Sequence, residues 1–89
     1  MMRFHREHAL GKDEARTRVS GIADELCRTY GLSAAWSGDE LKLSGSGVHG
    51  HIAVAEQSVD VHVKLGFALS MMSSVIRTSI DDALDKYLL

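Results

Sequence analysis

Five histidines in 89 residues are the first place to look for chemistry. His49 and His51 stand two positions apart, and His62 lies further along the same alternating stretch. In an extended segment, residues i and i+2 share a face, so His-x-His offers two ring nitrogens to one ion. A third imidazole from the neighbouring strand completes a set suited to zinc, copper or nickel, and His49, His51 and His62 are that set. Against it, Lys64 is close by and neither a cysteine nor a carboxylate pair joins the group. A wet, polar sheet face that happens to carry histidines is the competing expectation. His5 alternates with Phe4 and belongs on the same outer face. His8 sits at a strand-to-helix junction, where a hydrogen bond to backbone is its expected role.

The other chemical signals are weaker. Cys27 falls on an apolar stripe at helical spacing, which makes it a packing residue rather than a nucleophile. No serine stands in a nucleophile-elbow pattern, and Ser44-Gly45-Ser46-Gly47 reads as a turn. Gly45-x-Gly47-x-x-Gly50 matches a dinucleotide fingerprint in letters only. A strand follows it, so no helix N-terminus is there for a pyrophosphate. Catalytic residues and a cofactor are therefore not expected.

The elements that must position these residues follow from periodicity. Met2 and Phe4 alternate with Arg3 and His5 in a first strand over residues 2–7. Ala15, Val19, Ile22, Ala23, Leu26, Cys27 and Tyr30 recur at helical spacing, predicting a helix over 12–30 with Gly11 as N-cap and Gly31 as a left-handed terminator. Gly21 inside it is expected to permit close approach to the sheet. The period then becomes two, through Trp36, Leu41, Leu43, Ile52, Val54, Val59, Val61 and Val63, with Trp36 read as a core aromatic. Turns at Gly38-Asp39, at Gly45-Ser46-Gly47 and at Glu56-Gln57 make this a four-strand meander. Its expected registers pair Trp36 with Leu41, Leu43 with Ile52, Val54 with Val59 and His51 with His62. After Gly66 the helical period returns in Leu69, Met72, Ile76, Ile80, Ala83, Leu84, Tyr87 and Leu88. The order β-α-β-β-β-β-α predicts a single α+β domain over residues 1–89. It is a two-layer sandwich, an antiparallel sheet with both helices on one face.

Composition narrows the partners. Ten Lys and Arg against 12 Asp and Glu give a formal charge of -2, so nucleic acid is not an expected partner. The uncharged apolar run at residues 65–76 is too short to span a bilayer, and the charged N-terminal residues do not read as a signal peptide. One cysteine cannot form an internal disulfide, and a cytoplasmic protein without a transmembrane segment is expected.

Several motifs, in order, carry a resemblance. They are His8-Ala9-Leu10-Gly11, Glu14-Ala15-Arg16, Trp36-Ser37-Gly38-Asp39-Glu40-Leu41, Gly47-Val48-His49-Gly50-His51-Ile52 and Val61-His62-Val63-Lys64-Leu65-Gly66. The chain resembles the polyhydroxyalkanoic acid system protein family, small bacterial proteins encoded near polyhydroxyalkanoate storage loci. The resemblance spans nearly the whole chain. It implies a non-enzymatic accessory protein of the storage-granule system and carries over no catalytic residue. The alternatives are a His-rich metal-binding module and a small hydroxyacyl-binding protein or enzyme.

Two surfaces are open to partners. The outer sheet face can stay wet or pair with a second copy as a homodimer. The other is the start of the last helix, where Phe67, Met71 and Val75 widen the apolar stripe. The simplest expectation is that the first helix covers them. Left uncovered, Phe67, Met71, Met72 and Val75 are the natural contact for a protein partner, a granule surface or an acyl chain.

Overall fold

In the computed structural model, which describes residues 2–45 and 47–88, strand β1 (Met2–Glu7) leads into helix α1 (Lys12–Tyr30). Four strands follow, β2 (Ser33–Ser37), β3 (Glu40–Gly45), β4 (Val48–Val54) and β5 (Ser58–Leu65). A 3-10 helix (Phe67–Met72) then runs directly into α2 (Ser73–Leu88). The five strands form one antiparallel sheet in the order β1-β5-β4-β3-β2, with β1 paired beside β5. The α+β class and the helix-over-sheet arrangement are those expected from the periodicity.

The bounds of β1 and α1 match the sequence expectation, and the reason is local. Gly11 (φ 79°) turns the chain into α1, and Asp13 and Glu14 sit in its first turn, where carboxylates complement the helix dipole. Gly31 (φ 67°) ends the helix in the left-handed conformation, and the Leu32 amide donates to the Cys27 carbonyl at 3.1 Å. The core then forms between one sheet face and two helix stripes. Phe4, Leu41, Leu43, Ile52, Val54, Val59, Val61 and Val63 lie buried against Val19, Ile22 and Leu26 of α1 and Ile76, Ile80 and Leu84 of α2.

Three details depart from expectation. In the β3–β4 hairpin Leu41 faces Ile52 and Leu43 faces Gly50, a shift of two residues from the expected pairing of Leu43 with Ile52. A two-residue shift preserves which face each side chain takes, so apolar patterning does not distinguish the registers. The connection between Gly45 and Val48 decides it, with Gly47 at φ 82°; Ser46, part of the expected turn, lies outside the described residues. The second departure is Gly21. It faces α2, not the sheet, and a methyl group there would stand 2.6 Å from a ring carbon of Tyr87. The third is Trp36, which is half-buried on the edge strand β2 rather than central to the core. Its indole N–H donates to Ser20 Oγ at 3.3 Å, and the Arg16 guanidinium lies 4.5 Å from the ring centre.

Candidate functional site

The outer sheet face carries the histidines where the alternation places them. His51 stands opposite His62 and His49 opposite Lys64. The His51 and His62 rings stack, with centroids 4.7 Å apart and planes 22° from parallel. Stacking lays the two rings over one another instead of aiming their nitrogens at a common point. His49, one step along β4, faces an ammonium across the strand gap. Among the described residues no three of His, Cys, Asp and Glu are grouped in a way that could hold a metal ion. His5 Nδ1 donates instead to Asp60 Oδ1 at 2.6 Å, a cross-strand pair in the open. His8 Nδ1 accepts from the Leu10 amide at 3.2 Å, the backbone role expected of it.

Cys27 packs against the core, and burial, with the Asp24 carboxylate adding to it, pushes its thiol above the ordinary value. That direction opposes nucleophilic use. Between the α1 end and the sheet lies an apolar cavity of about 20 Å³, lined by Leu26, Leu43, Gly50, Val63 and Ile80 among others. It is about the size of one water molecule, so it does not offer an acyl chain a cleft.

The apolar start of the last helical segment is the feature that stands apart. Phe67 is 96% exposed, Met71 93%, Val75 58% and Met72 43%, so α1 does not cover them as the simplest expectation had it. The physical reason is angular position: at a helical period of about 100° or 120° per residue, Phe67 and Met71 fall at least about 120° around the axis from Leu69, which packs on the core. The segment is tied down at its base. The Gly66 amide donates to the Gly47 carbonyl at 2.7 Å, the Leu69 and Ser70 amides return to the Gly66 carbonyl, and Ser70 Oγ donates to the Phe67 carbonyl at 2.8 Å. The apolar side chains are thus held out on a fixed support.

Beside them is a shallow groove of about 370 Å³, lined by Met2, Val63, Lys64, Leu65, Ser70, Ser73 and Arg77. Sequence reasoning placed Lys64 beside the histidine set and gave Arg77 no role, so it missed this pair. The signal that joins them is a run, residues 61–80, with no Asp or Glu.

Fold and surface together define a small α+β protein with a closed apolar core, one wet sheet face and one apolar end. A family model described as "Putative polyhydroxyalkanoic acid system protein" matches residues 2–88, and the chain belongs to that family. The resemblance read from the motifs is thereby established. Searches of the curated proteins and of the solved structures each found no match. No helix among the described residues is long and apolar enough to cross a membrane.

Proposed function

We propose that this protein is a non-enzymatic binding protein of the polyhydroxyalkanoate system that seats on the granule's polyester surface through Phe67, Met71, Met72 and Val75. The observation that carries the reading is the near-complete exposure of Phe67 and Met71 on a 3-10 helix anchored at Gly66. An aliphatic polyester presents an apolar face with few hydrogen-bonding demands, and an aromatic ring beside flexible methionines suits an irregular surface of that kind. Family membership ties the chain to the same system.

The energetics suffice. Taking Phe67 and Met71 out of water contributes about 1.5–3 kcal/mol each. The F67S/M71S double variant should therefore lose at least about a hundredfold in partition onto purified polyester particles, measured by co-sedimentation. Both positions are outside the core, so its melting temperature should stay within about a degree of the parent. Unchanged partition would remove the reading.

A further inference from the structure

We infer that the groove between Lys64 and Arg77 takes the phosphate of an anionic phospholipid headgroup, so that the apolar end docks on a charged lipid surface with Phe67 and Met71 inserted. The inference deepens the reading above and rests on the same exposed side chains, but a different observation carries it. Lys64 at the end of β5 and Arg77 on the second turn of α2 line one groove, together with Ser70 and Ser73 and with no carboxylate on its walls. Among the described residues neither cation forms an ion pair, while Arg6, Lys12, Arg18 and Lys86 all do. The Arg77 guanidinium lies 5.5 Å from the Phe4 ring centre, a contact that holds it at the groove and leaves its N–H donors available.

A net charge of -2 argues against an anionic partner only if charge is evenly spread, and here it is not. Residues 61–80 and 41–55, which supply the strand ends and turns nearest Gly66 and Gly47, contain no Asp or Glu. The sheet's carboxylates collect toward the opposite end: Glu7, Asp39, Glu40, Glu56 and Asp60. Helix α2 repeats the pattern, with no acid in its first turn and Asp81, Asp82 and Asp85 further along. The sheet and α2 are therefore polarised, with the acid-free end coinciding with the apolar one. Apolar side chains flanked by Lys and Arg are the combination that holds a protein in the headgroup boundary of an anionic membrane.

The test uses the full chain and sedimentation with phosphatidylglycerol or phosphatidylcholine vesicles. The parent should bind phosphatidylglycerol preferentially and be released as salt rises from about 0.05 to 0.5 M. A K64Q/R77Q variant should lose about twenty-five-fold on phosphatidylglycerol, about fivefold per cation, and nothing on neutral polyester particles. F67S/M71S should lose both. No preference between the two lipids, or unchanged binding by K64Q/R77Q, overturns the inference while leaving the polyester reading intact. A parent that binds phosphatidylglycerol vesicles but not polyester particles overturns the earlier reading and not this one. Two soluble probes guard the assignment. If glycerol 3-phosphate or polyglutamate binds the parent through Lys64 and Arg77 while vesicles do not, a soluble phosphate or an acidic peptide is the ligand and the lipid inference fails.

Discussion

Gly50 shows how one residue without a side chain shapes its surroundings. It faces the core between Leu43 and Val63, where every neighbouring inward position is apolar and branched. A Cβ there would stand 2.6 Å from the His62 carbonyl oxygen and 3.3 Å from the Val63 Cα, both backbone atoms that cannot swing aside. G50A should therefore lower stability by at least about 2 kcal/mol, read as a drop in the urea midpoint at unchanged slope. Adding V63A should not rescue it, because the obstruction is backbone; recovery would mean side-chain crowding instead. Gly50 also lines the small apolar cavity. A glycine at an inward position of a central strand was visible in the motif Gly47-Val48-His49-Gly50-His51. Its register was not, since apolar alternation is blind to a two-residue slip.

Helix α1 packs across α2 through Gly21, whose missing side chain admits the Tyr87 ring. Glycine in a helix interior costs about 1 kcal/mol relative to alanine. That cost can be recovered only where the space is free. G21A should be neutral or destabilising in the parent and stabilising by about 1 kcal/mol in a Y87S background, a reversal of sign readable from thermal melts of the four-member cycle. Stabilisation in both backgrounds would show that the ring does not constrain the site. The element bounds of β1 and α1, the strand alternation and the His51–His62 pairing were legible because each rests on local chemistry or on parity. The turning-out of Phe67 and Met71 was missed although it is legible: at about 100° per residue both fall about 160° around the axis from Leu69, and widening the apolar stripe to take them in hid it. The grooved pairing of Lys64 with Arg77 was hidden for another reason: it joins two elements through tertiary packing.

For the molecule as a whole, two lysines join elements distant in the chain. Lys12 at the start of α1 meets Asp39 in the β2–β3 turn at 3.0 Å, and Lys86 of α2 meets Glu25 of α1 at 2.7 Å. Hydrogen bonding to those carboxylates, reinforced by their charge, raises both ammonium groups above the ordinary value of 10.5. A raised lysine contributes its stability fully below the unfolded value and loses it as pH climbs through the folded one. The K12M/K86M variant should therefore melt slightly below the parent at neutral pH, and the gap should close above about pH 10.5. A gap that stays constant to pH 11.5 would mean the pairs contribute through packing. Both lysines are solvated, so the effect is small.

The placement of β1 has a practical consequence for anyone attaching a reporter. Met2 pairs with Val63 and forms one wall of the Lys64–Arg77 groove. A fluorophore or fusion partner joined ahead of it would emerge over the surface being measured and compete with whatever docks there. Helix α2 leaves that end at Ser73 and runs 16 residues, carrying Leu88 about 24 Å away. A tag placed behind α2 therefore reports on the docking end without touching it, and the same label moved to the front should act as a blocker.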